Sequence, residues 1–157
     1  MINPTITISQ NEYEYLVEQA KIVKFIEYYR PSICNDGKFG TYEMVVWSDG
    51  LITTVRYGTL SECVKCAIED IRAMQSVYWV GEETEIYAGN SLEEILNEFF
   101  SEGDRKEILK DSLYGEVDLN QKYPIKEDSN SIAIEKTIKE LLEEMVTFPD
   151  VVLTSYD

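Results

Sequence analysis

Residues Lys38–Ser76 read KFGTYEMVVWSDGLITTVRYGTLSECVKCAIEDIRAMQS, and this stretch decides the fold. Tyr42–Trp47 and Leu51–Tyr57 are dense in Val, Ile, Thr, Trp and Tyr, which suit a pleated, half-buried surface. Ser48-Asp49-Gly50 stands between them, and Asp-Gly is a strong hairpin signal because glycine adopts the positive φ that hairpin turns require. Past Gly58, Thr59 and Glu62 have the spacing of a capping box, in which a hydroxyl and a carboxylate satisfy unpaired amides of the first helical turn. Leu60, Val64, Ala67, Ile68, Ile71 and Met74 then recur at helical spacing, a stripe that fits across the hairpin's apolar face. The expectation is strand, turn, strand and capped helix, with Ile68 and one of Val45 or Val46 in the core.

Toward the N-terminus, Thr5–Ile8 alternate as a short strand would. Ser9 and Glu12 form a second capping box, with Ile8 and Tyr13 placed as its hydrophobic staple. The helix predicted over about Gln10–Tyr29 carries Tyr13, Leu16, Val17, Ala20, Val23, Ile26 and Tyr29 along one side, and Pro31 ends it. Pro31–Gly40 reads as a loop turning at Asn35-Asp36-Gly37. Toward the C-terminus, Val77–Val80 and Glu85–Ala88 read as strands. Asn90-Ser91 opens a helix with Leu92, Ile95, Leu96, Phe99 and Phe100 inward. Gly103 is expected to break that helix, and Asp104 with Glu107 to start a short one bearing Ile108, Leu109 and Leu113. Tyr114–Asn130 reads as loop, Ser131–Val146 as a helix with Ile134, Ile138, Leu141, Leu142 and Met145 inward, and Val151–Thr154 as a closing strand or a tail. The predicted architecture is one α+β domain over residues 1–157. Its small, mostly antiparallel sheet is built on the central hairpin and packed with about four helices. Its segments are a strand and helix at 1–30, the ββα unit at 38–76, an acidic region at 77–118 and a C-terminal helix with its following segment at 131–155.

A chain of 157 residues, 44% apolar, is long and apolar enough for one real core. It has no apolar run of roughly 18 residues and no signal-peptide pattern, so a soluble, cytoplasmic protein is expected. Three cysteines, Cys34, Cys63 and Cys66, are too few for a disulfide framework. The chain has no histidine, which excludes Ser-His-Asp and Cys-His catalysis and His-ligated zinc within one chain. Against 14 basic side chains stand 30 acidic ones, a net charge of −16. Nucleic acid and anionic membranes repel such a protein, and basic protein surfaces attract it. The charge is uneven: residues 1–80 carry a net of −3 and residues 81–157 a net of −13. Glu82–Asp118 alone holds 12 acidic and 3 basic residues, a net of −9.

Three groups of residues invite a chemical reading. Cys63-Val-Lys-Cys66 has redox spacing, but with Thr59 as the cap both cysteines lie beyond the first turn, away from the helix N-terminus that lowers a thiol pKa. They read as small apolar core residues. Glu82, Glu83 and Glu85 are the densest carboxylates, and a carboxylate-dependent metal enzyme is the reading they open. No EF-hand, Walker or other metal motif accompanies them, so no catalytic residue, metal or cofactor is expected. The third group is the acidic region as a whole. Glu93, Glu94, Glu98, Glu102, Asp104, Glu107 and Asp111 are placed on or near the wet sides of two helices, with Tyr87 and Tyr114 as aromatic anchors. Duplex DNA carries about one negative charge per 1.7 Å of its axis, and carboxylates spaced along helices offer a comparable field to the same basic groove.

Thr5–Gln19, TITISQNEYEYLVEQ, is a β-prone segment followed by a Tyr/Glu-rich amphipathic helix, and it looks like the start of many small phage and mobile-element proteins. The whole chain, small, acidic and without histidine, is similar in character to phage anti-defence inhibitors, including anti-CRISPR proteins and DNA mimics. The likeness is one of composition over the full length, so no functional residue is carried over from it. It implies a viral, non-enzymatic inhibitor working in the host cytoplasm on a basic nucleic-acid-binding surface, through contacts between proteins. Bacterial immunity proteins that neutralise toxic nucleases share the same character.

Overall fold

The computed structural model describes residues 9–35, 37, 40–48, 51–125 and 132–155. The expected strand at Thr5–Ile8, the staple residue Ile8 and the Asp49-Gly50 turn lie outside them. Contacts gather the chain into two compact units, Met1–Ile68 and Glu69–Asp157. The fold is α+β, with five helices and antiparallel sheets of three, four and two strands among the described residues.

The first unit contains helix α1 (Gln10–Tyr29) and the sheet β1 (Ser32–Asn35), β2 (Tyr42–Ser48) and β3 (Leu51–Gly58), in that order. The expected hairpin is present: β2 and β3 pair antiparallel, with Tyr42 opposite Gly58 and Ser48 opposite Leu51. Met44 and Val46 are fully buried, so Val46 rather than Val45 faces inward. Helix α2 (Leu60–Ala73) begins in this unit, and its box forms as expected. The Thr59 amide and hydroxyl donate to Glu62 Oε2 at 3.0 and 2.7 Å, and the Glu62 amide donates to Thr59 Oγ1 at 3.3 Å. Cys63, Val64, Ala67 and Ile68 are its buried side here.

Two expectations about this unit are corrected. Pro31–Gly40 is not simply a loop, because Ser32–Asn35 pairs with β2 as an edge strand. All four of its residues are exposed, so no alternation marked it. Helix α1 has the expected bounds and the Ser9–Glu12 capping box, but the residues buried are Ile22 and Phe25. Tyr13, Leu16, Val17, Ala20 and Val23 are exposed. The helix has two apolar stripes, and the one containing Ile22, Phe25, Ile26 and Tyr29 is the one that packs.

The second unit is built on β4 (Ser76–Val80) and β5 (Glu82–Gly89), flanked by β6 (Tyr114–Glu116) and β9 (Asp150–Leu153) in the order β6-β4-β5-β9. Gly81, at φ +83°, makes the reversal between β4 and β5 that a side chain would strain. Helices α3 (Leu92–Phe99), α4 (Glu102–Asp111) and α5 (Ile138–Glu144) complete it, with the ribbon β7 (Lys122–Ile125) and β8 (Ile134–Thr137). Val80, Ile95, Leu96 and Ile108 form one core cluster, onto which Tyr78, Tyr87, Leu92, Phe99, Phe100 and Tyr114 pack. Arg72, in the last turn of α2, donates to the carbonyls of Glu143 and Met145 at 3.0 and 3.1 Å and so satisfies the end of α5. The C-terminal segment is a strand, not a tail: Tyr87 lies opposite Val151 and Ala88 opposite Asp150.

Here too the sequence reading needs correction. The predicted helix over Ser131–Val146 is shorter, because Ile134–Thr137 pairs with β7 and Thr137 caps α5 in a box with Glu140. Ile134 is accordingly exposed, while Ile138 and Leu142 are buried as expected. Within the expected loop Tyr114–Asn130 lie the strands β6 and β7. The break between α3 and α4 falls at Phe100–Ser101 rather than Gly103, because Ser101 is the better N-cap and Gly103 fits inside the first turn. Of the short helix's three apolar residues, Ile108 is buried while Leu109 and Leu113 are exposed.

Candidate functional site

The second unit holds 22 acidic and 8 basic side chains, a net of −14, against 8 and 6 in the first unit, a net of −2. Its acidic helices exist because two serines start them. The Ser91 hydroxyl accepts the Glu94 amide at 3.1 Å, and the Ser101 hydroxyl accepts the Asp104 amide at 3.3 Å. Some of the carboxylates are then accounted for by the helices themselves. Glu94 accepts from the Asn90 amide at 2.6 Å and from its side chain at 3.0 Å, and Asp104 accepts from the Ser101 hydroxyl at 2.6 Å. Glu93 and Glu102 stand in first turns, where the helix dipole favours negative charge. Glu102 also pairs with Lys106 at 2.6 Å, an exposed i,i+4 pair of small energetic value.

Glu98, Glu107 and Asp111 have no such explanation. All three are exposed. Glu98 is in the last turn of α3 and Asp111 is the last residue of α4, where the dipole disfavours a carboxylate. Helix stability would select lysine there, so these acids cost the fold something.

The remaining predicted site residues are placed differently. Glu82 and Glu83 are exposed at the start of β5. Glu85 is buried and faces the C-terminal segment. Its carboxylate accepts from Thr154 Oγ1 at 2.7 Å and from the Ser155 amide and hydroxyl at 2.7 and 2.8 Å. Burial pushes its pKa up, and the bonds from Ser155 and Thr154 outweigh that and hold it below the usual carboxylate value. This carboxylate closes the chain end onto the sheet. Tyr87 packs on Phe99 and Phe100, with ring centroids 5.2 and 5.5 Å away, and burial followed by the Glu85 charge raises its pKa. Tyr114 packs on the same core, so both tyrosines are half-buried supports of the helices. Among the described residues, no three carboxylate or thiol groups stand close enough to hold a metal ion. Cys63 is buried with its thiol 3.6 Å from the Tyr42 carbonyl, Cys66 is half-buried and Cys34 is exposed.

One feature of the region was missed from sequence. Leu92, Leu96 and Leu109 floor an open cleft of about 530 Å³ along α3 and α4, rimmed by Glu93, Asn97, Glu102, Arg105 and Lys106. Arg105 donates to Asn97 across it. The signal was Leu109, an exposed apolar residue next to the buried Ile108 on a mostly polar helix. The arrangement places an apolar socket beside a carboxylate-rich surface.

Compared with models of protein families, with curated proteins and with solved structures, the chain matches none. No helix among the described residues is long and apolar enough to cross a membrane.

Proposed function

We propose that the protein is an inhibitor that binds a basic, nucleic-acid-binding surface of a partner enzyme, with carboxylates of its second unit standing where phosphates would. The sharpest form of this reading is a phage-encoded inhibitor of a CRISPR effector, whose guide–target duplex lies in a positively charged channel. The observation that carries it is the pair Glu98 and Asp111, exposed at the C-terminal ends of two helices where local stability argues against them, with Glu107 exposed on the same helix as Asp111. Acid that the fold does not need points to a requirement outside the fold. Glu82, Glu83, Glu93 and Glu102 extend the same field, and the leucine-floored cleft accepts an apolar side chain of the partner. Close charge pairs then supply rate and specificity, and the buried apolar contact supplies residence time.

The test uses purified CRISPR effectors and other nucleic-acid enzymes with basic channels, immobilised one by one and exposed to the protein at low and high salt. The expected result is binding to at least one of them that weakens steeply with salt and is displaced by its own nucleic acid. Binding that ignores salt or coexists with bound nucleic acid contradicts the proposal, as does the absence of binding across the set.

A further inference from the structure

Helix α1 presents an apolar stripe that its own unit leaves uncovered. At about 100° per residue, Tyr13, Leu16, Val17, Ala20 and Val23 fall on the side of the helix facing away from Ile22, Phe25 and Tyr29. The packed side is fixed further by the Ser61 hydroxyl, which donates to Glu18. Tyr13, Leu16, Val17 and Val23 are 36–59% exposed, on a helix of 20 residues held by a capping box at one end and an αL cap at the other. Contiguous apolar surface of this kind on a rigid, preformed element marks a place where something binds.

The charges beside the stripe say what fits. The first half of α1 carries Glu12, Glu14 and Glu18, and the second half carries Lys21 and Lys24 with Glu27. A second copy of the helix laid antiparallel brings each acidic half beside a basic half. With the two-fold axis level with Glu18, Tyr13 meets Val23 of the second copy, Leu16 meets its Ala20, and Glu14 lies within one residue of the level of its Lys21 on the same flank. A parallel pairing sets Glu14 level with Glu14 and Lys21 level with Lys21, so neither acidic half is brought alongside a basic half. The small side chain of Ala20 leaves room for Leu16 from the other helix. The net charge of −2 on the first unit, against −14 on the second, also makes this the part of the chain where two copies can approach.

We infer that the protein self-associates as a two-fold dimer through antiparallel pairing of α1, with Tyr13, Leu16, Val17, Ala20 and Val23 at its centre. The half-exposed apolar side chains of both copies, with their polar flanks, bury roughly 1,000 Å² in total, the weak end of specific interfaces, so a micromolar dimer is expected.

Sedimentation velocity of the full chain across roughly 1–200 µM reads this directly, since that range brackets a micromolar equilibrium. The expected result is a shift from monomer to dimer. Leu16→Glu should abolish the dimer while far-ultraviolet circular dichroism and the melting temperature stay unchanged, because the residue touches little within its own unit. Glu14→Lys and Lys21→Glu should each weaken it about 2- to 30-fold, two surface pairs being lost by symmetry. The double exchange should restore it, which a merely structural role for either residue would not do. A monomer throughout the concentration range overturns the inference and leaves the stripe to another occupant. A dimer insensitive to Leu16→Glu, or charge variants that the double exchange fails to rescue, overturns it as well.

Discussion

Glu85 is the side chain whose removal from the second unit has the most specific expected consequence. It is buried on β5 and accepts three hydrogen bonds, two of them from Ser155 and one from Thr154, all at 2.7–2.8 Å. A hydrogen bond to a charged group contributes about 1.5–3 kcal/mol, and bonds to one carboxylate are not additive, so Glu85→Leu should cost about 3–5 kcal/mol. That cost is the loss of the three bonds to a charged acceptor and the release of the chain end that follows β9. Glu85→Gln keeps one acceptor and the shape, and should cost about half as much. For a unit of this size each kcal/mol moves the melting temperature by about 4–8 °C, so the two variants are separable in a thermal scan. The folded-state pKa of Glu85 is lowered relative to its ordinary value of 4.5. Its contribution is therefore fully present above that value and is lost as the pH falls through the lowered folded value. Glu12, Glu62 and Glu140 are shifted the same way by their capping hydrogen bonds, so the wild type should lose stability in acid on several counts. The difference between wild type and Glu85→Gln isolates the one group: it should be constant at neutral pH and shrink below about pH 4.5. A difference that stays constant down to pH 3, or a Glu85→Leu variant that melts with the wild type, refutes this role.

Ile68→Ala removes a buried side chain of α2 and should cost about 2–5 kcal/mol in denaturant unfolding, whereas Val45→Ala, on the half-buried side of β2, should cost less than Val46→Ala. A β-carbon on Gly115 would meet the Trp79 indole at 2.5 Å, so Gly115→Ala should displace the ring and destabilise by about 1–3 kcal/mol, visible as a shift in tryptophan fluorescence. Cys66→Ser should leave partner binding intact and Cys63→Ser should lower stability alone; loss of binding by a folded Cys63→Ser protein would restore a redox role for the pair.

Where local chemistry decides, the sequence was legible. Among the described residues three capping boxes, at Ser9, Thr59 and Thr137, form with their glutamates, and spacing alone identifies the first two. The third was obscured because Ile134 continues the helical period of Ile138, Leu141 and Leu142 backward through what is in fact β8. Periodicity cannot distinguish one extra helical turn from a four-residue strand when the partner strand, Lys122–Ile125, is itself unmarked. Helix α1 shows a different limit. Both of its stripes satisfy the 3.6-residue period, and only tertiary packing selects Phe25 over Leu16. For the acidic region, charge could be counted from sequence, but the division of labour within it could not. That Glu85 faces inward depends on where Ser155 ends up, 70 residues away. That Glu94 and Asp104 serve caps depends on which serine starts each helix.

The proposal that the carboxylates of α3 and α4 imitate phosphates is tested most directly by charge reversal at matched net charge. Glu98, Glu107 and Asp111 are changed together to Lys, and compared with Glu27, Glu69 and Glu143 changed together to Lys, all six being exposed. Each triplet moves the net charge from −16 to −10, so long-range attraction and solubility change alike. At physiological ionic strength the screening length is about 8 Å, so only charges near the contact should matter strongly. The measurement is the affinity for the nucleic-acid enzyme identified by the salt-dependent binding test. Close interfacial charge pairs contribute about 1.5–7 kcal/mol, so the first triplet should weaken the complex by a factor of 100 or more, while the second should change it by no more than about threefold. Equal effects of the two triplets would contradict phosphate mimicry and leave α3 and α4 with an ordinary solvated surface.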